Sequence, residues 1–119
     1  MQAIFDKIVN HLLSQNKRSV RHHSYDAQQC AYRGNDGLKC AIGCLIEDDN
    51  YSSELESLSV NTYAVKYALI KSGINTESHT LMSMLGFCQN MHDSNPPDTW
   101  MNSLKSVAEQ FNLKFNYSY

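Results

Sequence analysis

A Gly-Asn-Asp-Gly turn at residues 34–37 is the feature that most constrains the fold of this chain. Gly and Asn tolerate the left-handed backbone of tight hairpin turns, and apolar residues alternate on both sides. The turn lies within residues 30–46, which hold three of the four cysteines and three of the five glycines. The sequence therefore predicts a β-hairpin here, and we call residues 30–46 the central segment.

A three-residue loop is the hairpin register that best separates apolar from charged side chains. With Gly37 in the left-handed region, Tyr32 pairs with Cys40. Arg33 and Lys39 then face away from the apolar side of the hairpin. We therefore expect these two cations to be available for contact with a partner.

Helical periodicity predicts four or five helices around the hairpin. They are an opening helix that fades near Asn16 and helices over about 60–72, from about 76 or 78 to a proline break at 94–98, and over about 98–112. Residues 41–46 fit either a strand or buried helix, and we favour helix, with Gly43 allowing close approach of a neighbour. The residues expected to line the buried side of the 60–72 helix are Val60, Ala64, Tyr67 and Ala68.

The C-terminal residues change to a period of two. Leu113, Phe115, Tyr117 and Tyr119 alternate with polar residues, the pattern of a half-buried strand. Because a lone hairpin is marginal in water, this strand is its natural partner. The predicted fold is α+β, a single mainly helical domain over residues 1–119 with a small antiparallel sheet formed by the hairpin and the C-terminal strand.

Composition and charge argue against several classes of protein. The net charge of −2 predicts no bulk attraction to nucleic acid or to an anionic membrane. No apolar run approaches the ~20 residues of a membrane span, and the N-terminus lacks the pattern of a signal peptide. Residues 17–29 are expected to be a polar, solvated loop whose basic cluster gives only a weak contact to phosphates. We therefore expect a protein of a reducing cytoplasm, with its cysteines as thiols.

The cysteines leave four interpretations open, of which burial is the simplest. Cys30, Cys40, Cys44 and Cys88 are typical of small buried hydrophobes in a reducing compartment. A disulfide between Cys30 and Cys40 is disfavoured, because the hairpin places them as diagonal neighbours ~7–8 Å apart and bridged Cα atoms lie ~5.5–6 Å apart.

The other two interpretations are a metal site and a catalytic thiol. A zinc site would draw on Cys30, Cys40 and Cys44 with one histidine of His22, His23 and His92. Structural zinc sites usually have a two-residue cysteine spacing, which this chain lacks. A catalytic thiol would be Cys40 or Cys44, with its pKa lowered at a helix N-terminus and His92 as the base.

The sequence contains no further constellation of catalytic residues. It has no phosphate-binding Gly-rich loop, no Gly-x-Ser-x-Gly elbow and no dinucleotide fingerprint. We therefore expect no cofactor, and a non-enzymatic protein is favoured over an enzyme.

The pattern Cys-x-Tyr-Arg-Gly-x-x-Gly-x-x-Cys-Ala-Ile-Gly-x-Leu-Ile over residues 30–46 resembles a family of small bacterial and bacteriophage proteins without an assigned activity. The resemblance continues through the opening helix, His92-Asp93 and the helix that contains Trp100. It implies a bacterial or phage context, in which small single domains act as accessory or inhibitory binders. It carries no catalytic residue.

These observations predict an interaction protein that binds a host or phage protein complex. Seven tyrosines, one tryptophan and five methionines are more than a core of this size needs, and tyrosine and methionine are favoured at contact surfaces. The candidate binding residues are Arg33, Lys39, Tyr117 and Tyr119. One form of this function is inhibition of a host defence complex such as a CRISPR effector. The alternatives are a thiol-dependent hydrolase or transferase, and a zinc-stabilised binding module.

Overall fold

The computed structural model describes residues 1–22 and 28–117, and in them it forms four α-helices and one pair of short strands. The helices are α1 (Gln2–Gln15), α2 (Tyr63–Lys71), α3 (His79–Ser94) and α4 (Trp100–Gln110). The strands are β1 (Val20–His22) and β2 (Gln28–Cys30). Short 3-10 turns connect much of the chain between β2 and α2. No helix of the described residues is both long and apolar enough to cross a membrane.

Local sequence signals set the helix ends. α1 is capped at its C-terminus by Asn16, which takes the left-handed conformation with φ 51° that Asn tolerates. α3 begins where the Ser78 hydroxyl accepts a hydrogen bond from the backbone N–H of Leu81 at 3.2 Å. It ends before Pro96, and a single 3-10 turn, Pro97–Thr99, leads into α4.

The core lies between α1, α3, α4 and the central segment. α1 contributes Phe5, Ile8, Val9 and Leu12, all fully buried. The inner face of α3 includes Leu81, Leu85 and Cys88, all of which are buried. α1 packs on the turn Gly43–Leu45 and on α4, which in turn packs on α3.

The predicted antiparallel sheet of hairpin and C-terminal strand is wrong. Among the described residues the only strand pair is β1 with β2, in which Val20 lies opposite Cys30. Apart from Cys30, both strands lie within residues 17–29, which were predicted to be a polar loop. In the central segment the turn forms with Gly37 at φ 77°, and Arg33 lies opposite Lys39 in a single isolated bridge. No ladder extends from that bridge, so the fold is mainly helical rather than α+β.

Side chains from elsewhere in the chain replace the missing ladder. Gln15 of α1 both accepts from the backbone N–H of Lys39 and donates to its carbonyl oxygen. Gln89 of α3 accepts from the backbone N–H of Ile42. The carboxylate of Glu56 accepts from the backbone N–H groups of Tyr32 and Arg33 at 2.9 and 3.1 Å. Because these backbone groups are already bonded, they do not pair across a hairpin.

The C-terminal residues keep the predicted alternation without forming a strand. Leu113, Phe115 and Tyr117 are half-buried against the core. The backbone of Lys114 bonds to the side chain of Gln2 through both its N–H and its carbonyl oxygen. Tyr119 lies outside the described residues.

Residues 41–46 form a short turn of helix, which agrees with the favoured interpretation. The 3-10 turn spans Gly43–Leu45. A Cβ atom at Gly43 would lie 2.1 Å from the carbonyl oxygen of Tyr32. Gly43 therefore allows the close approach that the sequence predicted.

The predicted buried face of the 60–72 helix is half correct, since Val60 and Ala68 are buried but the other two residues are not. Val65, Ala68 and Leu69 face the core, whereas Ala64 and Tyr67 are exposed. The true inner stripe is one residue away from the predicted one, and this shift turns tyrosine side chains outward.

Candidate functional site

His92 lies at the centre of a polar cluster in the protein interior. α3 places it on its inner face, where the ring is fully buried and stacks on Trp100 with 5.2 Å between ring centroids. The backbone N–H of Ser19 donates to its Nε2 at 3.0 Å. Because an amide N–H only donates, Nε2 is unprotonated and Nδ1 carries the proton. His92 is therefore a neutral imidazole in one fixed tautomer.

The Nδ1–H of His92 donates to Oδ1 of Asp93 at 2.7 Å. The same oxygen accepts from the side-chain amide of Gln89 at 2.9 Å. The half-buried thiol of Cys30 lies beside this carboxylate, at the end of β2. Burial, together with the charge of Asp93 and a hydrogen bond to it, raises the pKa of Cys30 to about 11. The thiol is therefore protonated at neutral pH.

Cys30, His92 and Asp93 are the described residues that come closest to a metal site. Their ligand atoms all lie within 4.8 Å of one another, and their chemistry suits zinc. A metal on Nδ1 would displace the proton of His92 while Nε2 still accepts from Ser19, which leaves an imidazolate. The hydrogen bonding of His92 therefore does not fit a metal, and Cys40 and Cys44 are not part of the cluster.

The proposed catalytic pair of Cys40 or Cys44 with His92 is not assembled. Cys40 is fully buried, and its Sγ accepts from the backbone N–H of Gly43 at 3.3 Å. Cys44 donates its thiol to the carbonyl oxygen of Ala41 at 3.0 Å. Burial raises the pKa of both thiols to about 12. Both nitrogens of His92 are bonded elsewhere, so His92 is not available as their base.

Arg33, the first predicted binding residue, is used within the fold. Its guanidinium donates to the carbonyl oxygens of Gly43 and Ile46 and lies 3.1 Å from a carboxylate oxygen of Asp48. It also lies over the ring of Tyr51, 4.9 Å from the centroid. The side chain is only 15% exposed. Arg33 therefore stabilises the central segment and leaves little surface for a partner.

Of the other predicted binding residues, the structure describes Lys39 and Tyr117. Lys39 is partly exposed, with its Nζ 3.7 Å from a carboxylate oxygen of Asp48. Tyr117 packs half-buried on the core, and Tyr119 lies outside the described residues.

An aromatic face on α2 was missed by the sequence reasoning. Tyr63, Tyr67 and Ile70 are 83%, 48% and 53% exposed and lie one helical turn apart. The rings of Tyr63 and Tyr67 stack with 6.2 Å between centroids, and the ammonium of Lys71 lies 5.3 Å from the centroid of Tyr67. The sequence did contain a signal for this face. Val65 and Leu69 form an alternative aliphatic stripe on the same helix, and burying that stripe places the tyrosines on the surface.

A groove runs along α3 beside the cluster. It is lined by α3, by the segment 56–61 and by Cys30 and Tyr32. The hydroxyl of Tyr32 donates to the carbonyl oxygen of Leu58, which connects the segment 56–61 to Tyr32. Asp93 lines one end, and the carboxylate is 38% exposed.

Comparison with protein-family models, curated proteins and solved structures gave no significant match for this chain. The resemblance of the central segment to small bacterial and phage proteins therefore stays a prediction.

Proposed function

We propose that this protein is a binding module that contacts another protein through the aromatic face of α2. The observation that carries the proposal is the exposure of Tyr63, Tyr67 and Ile70 on one side of a nine-residue helix. Large apolar side chains grouped on a surface mark contact sites, and tyrosine is enriched among the residues that dominate binding energy.

The aromatic face is also preorganised. The two tyrosine rings stack within 12° of parallel, and Lys71 lies over one of them. Side chains already held in one arrangement lose less conformational entropy when a partner binds.

A cavity beside the aromatic face offers space for an anchoring side chain of the partner. It has a volume of about 480 Å³ and is lined by Tyr51 and Leu55 as well as by Tyr63 and Tyr67. Buried anchors in such pockets contribute most of the affinity of typical interfaces. The cavity thus extends the contact surface of α2 toward the turns that precede it.

The chemistry of the thiols favours binding over catalysis. The pKa of each of the four cysteines is raised, to about 11 for Cys30 and about 12 for the others. A thiol nucleophile requires the opposite shift. The resemblance of the central segment directs the search for a partner to a bacterial host lysate, where a defence complex such as a CRISPR effector is one candidate.

The test is capture of a partner from such a lysate by three forms of the chain. We expect wild type and Tyr63→Phe/Tyr67→Phe, which keeps the stacked rings, to retain the same protein. Tyr63→Ala/Tyr67→Ala should lose it by at least tenfold while its circular dichroism spectrum is unchanged. Equal capture by all three forms, or capture of nothing specific by wild type, contradicts the proposal.

A further inference from the structure

We propose that the groove along α3 binds a second ligand, an extended peptide segment that carries an arginine or lysine side chain. This site is separate from the aromatic face of α2. It is inferred from the shape of the groove, from one glycine in α3 and from the charge of Asp93.

The groove consists of two adjoining cavities of about 380 Å³ each, which share Gly86 and Asn90 in their linings. It follows α3 from His79 to Asp93. At 1.5 Å per residue this stretch of helix is about 21 Å long. An extended chain advances about 3.3 Å per residue, so the groove matches about six residues of peptide.

Gly86 keeps the groove continuous. It lies in the middle of α3, where glycine lowers helix stability relative to alanine. Its backbone does not require glycine, since a Cβ atom there would have no neighbour within 4 Å. A longer side chain at this position would project into the space where the two cavities join. The glycine therefore maintains an opening that the fold itself does not need.

The walls carry groups that suit a peptide backbone. Asn61 and Asn90 line the groove on the segment 56–61 side and on α3 respectively. A side-chain amide both donates and accepts, so it can bond to the N–H and C=O groups of an extended strand. A segment without secondary structure offers these groups unpaired.

Asp93 supplies the preference for a cation. Its neighbours Cys30 and His92 are uncharged, because the thiol is protonated and the imidazole is neutral. Arg18 donates to the carbonyl oxygens of His92 and Asn95 instead. Glu56, the other carboxylate of the described lining, lies 3.5 Å from Arg21.

No lysine or arginine is among the described lining residues. A guanidinium or ammonium group of a ligand at this end of the groove would therefore meet a carboxylate without a charged partner among the described residues. Such charge-assisted hydrogen bonds are stronger than neutral ones.

The test is an array of hexapeptides that present Arg, Gln or Glu at each position in turn on an alanine and leucine background. We expect wild type to bind the best Arg peptides at least tenfold more tightly than their Glu counterparts. Gly86→Leu should weaken this binding at least tenfold, and Gly86→Ala should weaken it much less. Asp93→Asn should reduce the difference between the Arg and Glu peptides to less than threefold.

Tyr63→Ala/Tyr67→Ala should bind the Arg peptides as wild type does, which separates this site from the aromatic face. Thermal unfolding of each variant verifies that it is folded. The proposal is overturned if no Arg peptide exceeds its Glu counterpart, if Gly86→Leu binds as well as wild type, or if the tyrosine variant loses the peptides. The first two results leave the function proposed for α2 untouched.

Discussion

The backbone N–H of Ser19 donates to Nε2 of His92 over 3.0 Å, and this one hydrogen bond fixes the chemistry of the interior cluster. It assigns the proton to Nδ1, from which it is donated to Asp93. His92 therefore connects the start of β1 to the end of α3 as a structural residue. It has no free nitrogen with which to activate a thiol.

Replacing His92 should test this structural role directly. His92→Ala leaves the buried N–H of Ser19 without an acceptor and removes the ring that stacks on Trp100. We expect a loss of about 3–4 kcal/mol in the free energy of unfolding. His92→Gln, whose side-chain oxygen can accept from Ser19, should lose at least about 1 kcal/mol less. Urea denaturation monitored by circular dichroism measures both, and equal losses would show that the bond to Ser19 is unimportant.

Zinc should not bind to Cys30, His92 and Asp93. The purified protein is expected to contain less than about 0.1 zinc per chain, because a metal on Nδ1 requires an imidazolate. Elemental analysis gives the metal content, and nitrogen NMR of the imidazole should show a protonated Nδ1 and a bare Nε2. Stoichiometric zinc that disappears in Cys30→Ala would refute the assignment.

Replacing Gly43 and Gly86 by alanine should change the free energy of unfolding in opposite directions. Gly43→Ala places a Cβ atom 2.1 Å from the carbonyl oxygen of Tyr32, and we expect a loss of more than about 3 kcal/mol of stability. Gly86→Ala meets no neighbour and should raise the free energy of unfolding by about 0.5–1 kcal/mol. Thermal and urea unfolding of the pair provide the comparison. A stable Gly43→Ala protein would mean that residues 32 and 43 are farther apart than described.

Substitutions of Arg33 and Lys39 should have very different effects on stability, although both residues are cations beside the same turn. Arg33→Lys loses the planar donor pair that bonds the carbonyl oxygens of Gly43 and Ile46, and it should cost about 2–3 kcal/mol. Lys39→Gln removes only an exposed ion pair and should change stability by less than about 0.5 kcal/mol. Chemical denaturation of the two variants side by side decides the matter. If both substitutions change the free energy of unfolding by a similarly small amount, Arg33 does not stabilise the central segment and is available for contact with a partner.

Buried thiols should make the fold sensitive to alkaline pH. The pKa values of Cys40 and Cys88 rise from 9.0 to about 12 on burial. Between these values the unfolded chain releases protons that the folded chain keeps, so stability is complete below pH 9 and declines toward pH 12. Each thiol contributes up to about 1.4 kcal/mol per pH unit.

Urea denaturation at about pH 8, 9 and 10 measures this slope for comparison with the linkage relation. Cys88→Ala, although less stable at every pH, should show a shallower slope than wild type. Identical slopes in the two proteins would mean that Cys88 does not retain its proton in the folded state.

The helices were predictable because their apolar periodicity is local. α1 and the inner face of α3 follow directly from the spacing of residues such as Leu81 and Leu85. α2 was harder, since Ala64 and Tyr67 form one possible stripe and Val65 and Leu69 another. Tyrosine tolerates either a core or a surface, so pattern alone did not decide between them.

Two features were not predicted because they depend on contacts between residues far apart in the sequence. These are the absence of the predicted sheet and the set of residues that surround His92. The sequence singled out His92 but paired it with Cys40 or Cys44. The pairing of β1 with β2 instead brings Cys30 to Asp93, and those strands lie in a stretch too polar to show strand periodicity.

The backbone of the central segment takes its shape from Gln15, Gln89 and Glu56, none of which belongs to it. A β-ladder within the segment would be preserved if the segment were moved to another scaffold, because both partners of its hydrogen bonds would move together. The hydrogen bonds from Gln15, Gln89 and Glu56 would be lost. A transplant of residues 30–46 would keep its conformation only if those three distant side chains were supplied in the same positions.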